Sequence, residues 1–305
     1  MAQGFSFDVR FYRLSAELQP YFTALYSYDI RCDDDAVIID RLHPEWSSMR
    51  VFARGAAPQA SIVPEPVKFT GTFPISGPTS RALSFCLSTA KIWGLGLLPL
   101  GWARFCRAPA HELADQIVDG TTHPAYEMFR PLPTLMGDGA EETDDVATAV
   151  NEFLLAQDLS PVPAQDQILA CQQALSDPLV GDVETLAGRV GVGRRTLERL
   201  CRRYFGFSPK LLLRRQRFLR SLAAFMLGPK DNWSKALDGQ YYDQAHFVRD
   251  FRRFMGMSPT EYAEMPHPVL DRIMAQRMVD HGVALRTDLP TLLRYSSPAI
   301  EVPRG

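Results

Sequence analysis

Residues 202–209 read RRYFGFSP, and fifty positions later residues 252–259 read RRFMGMSP. The match runs upstream as well, through Arg199 and Arg249 and through Leu197 and Phe247 at the same offset. A chain that writes one local signature twice must fold it twice, so this stretch is a duplicated unit. The shared ending Gly-x-Ser-Pro has its own physical reason. Glycine takes the left-handed conformation that stops a helix, and proline shortly afterwards prevents its continuation. Ser208 and Ser258 are then placed as N-caps for the helices KLLLRRQRFLRSLAAF and TEYAEM.

The helix before each ending carries two stripes. In GRRTLERLCRRYFG, residues 193–206, Leu197, Leu200, Cys201 and Tyr204 recur at helical spacing and form an apolar face. Arg195, Glu198, Arg199 and Arg202 recur at the same intervals, displaced around the axis. In DQAHFVRDFRRFMG, residues 243–256, the buried stripe is Phe247, Phe251 and Phe254, which leaves Gln244, His246, Arg249 and Arg253 to face outward. Such a helix is glued down on one side and presents hydrogen-bonding side chains on the other. In a major groove Arg pairs with guanine, Gln with adenine, and Glu accepts from cytosine.

The surroundings agree. From about 165 to 265 the chain reads as almost entirely helical. Asp182 is placed to cap VETLAGRV, and the turn VGVG at 190–193 precedes the next helix, which is the layout of a helix-turn-helix. A connecting helix, Leu211 to Leu227, would hold the two units at one separation, as successive major grooves roughly 34 Å apart require. Residues 181–265 hold 16 Lys and Arg against 9 Asp and Glu, whereas the rest of the chain holds 17 against 26. The overall charge of −2 therefore hides a basic module on an acidic remainder.

LAGRVGVGRRTLERLCRRYFGFSPKLLLRRQR followed by YYDQAHFVRDFRRFMGMSPTEY resembles the double helix-turn-helix DNA-binding domain of the AraC/XylS transcriptional regulators. The resemblance covers residues 165–265, an all-α tandem domain. It implies that the helices starting at Gly193 and Asp243 are recognition helices. Arg195, Glu198 and Arg199 are then the base-reading candidates of the first, with Gln244, His246 and Arg249 those of the second. Arg194 joins the DNA-binding set, and Arg202, Arg203, Lys210, Arg215, Arg252 and Arg253 are assigned to phosphates, which position without specifying. One departure is visible: Gln240 precedes Tyr241 where the family usually has glycine, and Gly239 lies one place earlier.

Residues 1–135 carry the β-type signals VIID at 37–40, SMRVF at 48–52, SIV at 61–63 and RALSFCL at 81–87, separated by Pro and Gly clusters. That spacing predicts an all-β sandwich or barrel, with a helix only at APAHELADQIV, 108–118. Domain order and the segments ISGP at 75–78 and PLGWARF at 99–105 make this half similar to the cupin-like barrels of the same family, which implies a sensing or dimerising role. His43, His111 and His123 form no HxH pair, so neither a metal nor another cofactor is expected. Trp46, Arg50, Arg54 and Trp102 are pocket candidates, but they read more simply as core and rim residues, and no ligand site is assigned.

The acidic stretch MGDGAEETDD, 136–145, predicts a boundary, and residues 136–164 a linker with an amphipathic helix. The face Val146, Val150, Phe153 and Leu154 of that helix suits either dimerisation or packing within the chain. The tail 266–305 contains one helical segment, VLDRIMAQRMVDHG, before a Pro- and Ser-containing end.

Apolar content of 46% with 22% charged residues suits a globular chain with two cores. Five cysteines without metal-ligand spacing read as buried thiols of a reducing compartment. The apolar run IWGLGLLPLGW, 92–102, is too short and too broken to cross a bilayer, so a cytoplasmic address without a membrane partner is expected. The P-loop, nucleophile elbow, HExxH and dinucleotide fingerprint are missing, so catalysis is not expected. The leading reading is a sequence-specific transcription regulator on double-stranded DNA, with a homodimer partner, a small-molecule effector and RNA polymerase as candidate partners. The alternatives are a DNA-repair-linked adaptive regulator, which needs reactive cysteines, and a β-barrel enzyme with a helical accessory domain.

Overall fold

The computed structural model describes residues 4–33, 36–64, 71–137, 142–227 and 237–273. Among the described residues, nine strands fill the first half: β1 Phe5–Tyr12, β2 Phe22–Cys32, β3 Ile38–Leu42, β4 Ser47–Gly55, β5 Gln59–Ile62, β6 Pro74–Ser76, β7 Leu83–Leu87, β8 Ala90–Leu97 and β9 Ile117–Asp119. They pair antiparallel in a six-stranded sheet of order β1-β2-β8-β4-β6-β9 and a three-stranded sheet of order β3-β7-β5. The sheets share a core in which Tyr28, Ile30, Phe52 and Ile92 of the larger meet Ile38, Leu83, Phe85 and Leu87 of the smaller. The first half is thus mostly β, as its short branched runs predict, and the described second half is helical.

Two expectations need correction. The helix at 108–118 does not form. In its place is one 3₁₀ turn, Ala110–Glu112, followed by β9, which pairs Ile117 with Ser76 and Asp119 with Pro74. Asp115 breaks the helical path with a φ of 56°. In that conformation its carboxylate accepts from the Ser80 amide at 2.6 Å and the Ser80 hydroxyl at 2.7 Å. Here tertiary hydrogen bonds override local propensity. The second correction concerns Arg215, expected on a phosphate: it is 1% exposed.

Helices α1 Pro99–Phe105, α2 Leu132–Leu135 and α3 Thr143–Leu155 link the halves. The predicted face of α3 is used inside the chain. Val146, Val150 and Leu154 are buried in the main core, and Asn151 accepts from the Ser15 amide at 3.0 Å. A dimer would have to form through another surface. Helices α4 Gln165–Ser176, α5 Val183–Val190, α6 Arg194–Leu200, α7 Pro209–Leu227, α8 Gln244–Met255 and α9 Pro259–Glu264 follow. Among the described residues no helix is long and apolar enough to cross a membrane. Residues 274–305, and the linker positions 138–141, lie outside the described residues.

Both copies of the repeat dock on the β-sheets through their glycine ends. Gly206 and Gly256 adopt φ of 86° and 71°, the left-handed conformation that ends the helical run of each repeat. Each also lies against the first half: a Cβ on Gly206 would meet Pro78 at 3.0 Å, and one on Gly256 would meet Val63 at 3.2 Å. Beside them Phe205 packs edge-on against Trp46, the Ala82 amide donates to the Phe254 carbonyl at 2.7 Å, and Arg41 donates to the Met255 carbonyl at 2.7 Å. After α9, the segment from His267 folds over buried Asp40, which accepts from the amides of Val269 and Leu270, each at 2.9 Å.

Arg215 lies between the halves. Its guanidinium is 4.0 Å from the centre of the Trp46 ring and donates to the carbonyls of Thr79 at 2.8 Å and Glu45 at 3.3 Å. Arg215→Ala removes a desolvated cation–π contact and strands the buried Thr79 carbonyl, whereas the Glu45 carbonyl keeps the Thr79 amide at 2.9 Å. It should cost roughly 3 kcal/mol in denaturant unfolding of the full chain. The salt dependence of duplex binding should stay as it was, and a slope reduced by about one unit would restore the phosphate role. Phe251, packed against Phe218, Phe247 and Tyr262 at centroid distances of 5.3–5.6 Å, is a second test. Phe251→Ala should cost about 3–5 kcal/mol by the same measurement.

Candidate DNA interface

The first helix-turn-helix is built as its residues dictate. Asp182 caps α5 by accepting from the Thr185 amide at 2.8 Å, and these hydrogen bonds hold its carboxyl below the usual range. Gly191 ends α5 in the left-handed conformation, with a φ of 73°. α6 then buries Leu197 and Leu200, and Cys201 and Phe205 continue the buried stripe through one π-helical turn, Cys201–Phe205. Tyr204 is only half-buried.

On the opposite side of α6, Arg194, Arg195 and Arg199 are exposed, Glu198 is half-buried, and Arg202, Arg203 and Lys210 are exposed beyond it. Arg194 pairs with Glu184 at 3.2 Å and Arg202 with Glu198 at 2.9 Å. Exposed pairs of this kind contribute little, at most about 1 kcal/mol, so DNA can displace them cheaply.

The second unit repeats the scheme with aromatic packing. Asp243 caps α8 by accepting from the His246 amide at 2.6 Å, and Phe247, Phe251 and Phe254 are fully buried. Gln244, Arg249, Arg252 and Arg253 are exposed. His246 differs from them. It is half-buried, with its ring 5.1 Å from Tyr241 and its Nε2 3.4 Å from Arg217 Nη2, so one edge is held inside the protein. Tyr242, 94% exposed just before the cap, stands with this outward set although no motif marks it. Its only sequence signal is an aromatic residue beside an N-cap with no apolar partner in the stripe.

Four arginines of α7 are spent inside the protein. Asp250 of α8 is fully buried and accepts from Arg214 at 2.5 Å and from the Tyr241 hydroxyl at 3.0 Å, with Arg217 at 3.6 Å. Burial first, and then the Asp250 charge, push the Tyr241 hydroxyl well above its ordinary range and keep it a neutral donor. Arg217 also lies over the Tyr241 ring at 4.7 Å, and Arg220 pairs with Asp238 at 2.5 Å. Gln240, the departure from the family pattern, has a structural use: its side chain donates to the Pro178 carbonyl at 2.6 Å and ties the second turn to the first unit.

The pocket candidates separate. Arg50 lies between the two sheets, paired with Glu45 at 2.8 Å; burial works against its charge, and neighbouring groups including Glu45 more than offset this. Trp102 lines a different groove beside α6, Trp46 is covered by Arg215, and Arg54 is an exposed rim residue. Three of the thiols are pushed away from the reactive thiolate form. Burial, followed by the Asp33 charge, pushes Cys32 up, and burial pushes Cys106 far up. Cys201 is pushed up by its contact with Cys171, 3.8 Å away, and by burial.

A helix-turn-helix domain model matches residues 186–265. ToxT from Vibrio cholerae O395 shares 11% identity and a TM-score of 0.41, over 87% of this chain and 99% of that one. The unsaturated fatty acid-bound wild-type ToxT of Vibrio cholerae shares 10% identity and a TM-score of 0.40, over 78% and 99%. No curated protein matches the chain. With α6 and α8 each set behind a tight turn in the segment that the family model covers, residues 186–265 are an AraC-type helix-turn-helix domain, carried behind a half built of antiparallel sheets.

Proposed function

We propose that the chain is a sequence-specific transcription regulator that places α6 and α8 in adjacent major grooves of double-stranded DNA. The observation that carries this reading is the burial pattern. Each copy buries its apolar stripe completely enough to be rigid, and keeps arginine and amide side chains in water on the opposite side. Arg195, Glu198 and Arg199, with Gln244 and Arg249, are the proposed base readers. Arg194, Arg202, Arg203, Lys210, Arg252 and Arg253 are the proposed phosphate contacts. His246, held at one edge by Arg217, reaches a base only with its remaining edge.

Residues 165–265 act as the DNA-binding unit in this reading, and residues 1–135 act as a regulatory domain. Two modules on paired operator sites would gain affinity through effective concentration. An effector would need room. The space between the sheets, lined by Arg50 and Phe85 among others, is about 50 Å³, below the several hundred Å³ of small-molecule sites. A repair-type methyl transfer to cysteine is disfavoured by thiols that burial keeps protonated. Catalysis in the β half has no group of three His, Cys, Asp or Glu placed for a metal, among the described residues.

The test starts from the preferred sequence recovered from a random duplex pool. Protection footprinting should show two tracts on one face of the duplex, about 10 base pairs apart. Arg199→Ala should cost about 1–3 kcal/mol at that sequence and relax preference at one base pair, whereas Arg253→Ala should weaken all duplexes alike and lower the salt slope by about one. Equal losses on preferred and random duplex for Arg199→Ala would remove its base-reading role.

A further inference from the structure

We propose that the groove between α1 and α6 binds a small organic anion with a flat apolar body, and that this occupant competes with DNA for Arg199. The inference rests on the DNA-binding reading for its second half only. The groove holds about 470 Å³, within the range of small-molecule sites, whereas the space between the sheets holds about 50 Å³. The more spacious of the two lies against the recognition helix.

Its walls come from separate parts of the chain. α1 supplies Ala103 and the small accessible part of Trp102, a ring only 2% exposed whose nitrogen donates to the Ala108 carbonyl at 2.8 Å. The loop after α1 supplies Arg107. α6 and the turn beyond it supply Thr196, Arg199, Arg203 and Tyr204. The far side is the 162–164 segment, just after the point where Arg104 bonds the carbonyl and pairs with the carboxylate of Asp158.

Three guanidinium groups thus line one concavity, and among the described residues no Asp or Glu lines it. The neighbouring acids are engaged beside it: Glu127 pairs with Arg107 at 2.5 Å, and Glu198 pairs with Arg202 rather than Arg199. Like charges converging on a space with apolar walls repel, and an anion entering there relieves that repulsion while its body covers Tyr204 and the apolar walls. Arg199 cannot make a forked contact to a guanine edge and to such an anion at the same time. The groove and the major groove therefore draw on one side chain, so occupancy of one disfavours the other.

The experiment uses the full chain and anilinonaphthalene sulfonate, an aromatic anion whose fluorescence rises in apolar surroundings, with the uncharged phenylnaphthylamine as its comparison. One probe per chain is expected, with the neutral analogue weaker by at least about tenfold because it forgoes the charge-assisted contacts. Arg107→Ala, at a side chain 76% exposed and outside the proposed DNA contacts, should weaken the probe by at least about tenfold and leave duplex affinity unchanged. Ala103→Phe, which fills the groove, should remove the saturable signal. Saturating probe should lower affinity for the preferred duplex by about 5- to 150-fold. Probe binding that survives both substitutions, or that favours the neutral analogue, overturns the site. If the duplex binds undisturbed by saturating probe, the competition is wrong. If the chain binds the probe in this groove and no duplex at all, the site stands and the DNA-binding reading fails.

Discussion

A buried positive charge must be surrounded by acceptors, and the connecting helix α7 carries four arginines that meet this demand in different directions. Arg215 reaches into the β half, where the Trp46 ring and the carbonyls of Glu45 and Thr79 enclose it. Arg214 and Arg217 reach toward α8 through Asp250, and Arg220 reaches the turn before it through Asp238. Removing any partner leaves an uncompensated charge in a low-dielectric place, which is far costlier than losing a surface pair. One helix thereby holds α8 and the β half in a common frame. Charge that composition credits to DNA binding is in fact spent on internal geometry.

The duplicated ending then acquires a second purpose. Glycine stops each recognition segment, and the absence of its side chain also lets each turn approach the sheets, at Pro78 in one copy and Val63 in the other. Repetition of the signature is therefore repetition of a docking point as well as of a helix-turn-helix unit. The arrangement brings α1 close to α6, which is why Arg199 borders a groove shared with the β half. The β half thus touches the exposed arginine face of α6 directly, without a long chain of intermediates.

Some of this was legible in the residues and some was not, for identifiable reasons. The stripes of α6 and α8 could be read because helical spacing sorts apolar from charged positions locally, and the caps at Asp182, Ser208 and Ser258 follow from side-chain chemistry within three residues. The strands β3, β4, β5 and β7 were marked by branched residues. β1, β2 and β8 were not: β8 is buried along its whole length and shows no alternation, so it reads as a bare apolar run. The segment 108–118 has helical composition, yet its ends are committed to Ser80 and β6.

The amino-acid sequence by itself determined the periodic parts: two recognition helices, their capped ends, the connector between them, and the acidic and basic division of the chain. Those features depend on neighbours a few residues away. Only the tertiary structure decided which arginines are available to DNA, that the face of α3 is already covered, and that the roomy groove lies beside α6 rather than between the sheets. Burial and charge pairing are settled by residues brought together from 36 to 170 positions apart, as with Arg214 to Asp250 and Arg215 to Glu45, and no local pattern encodes that meeting.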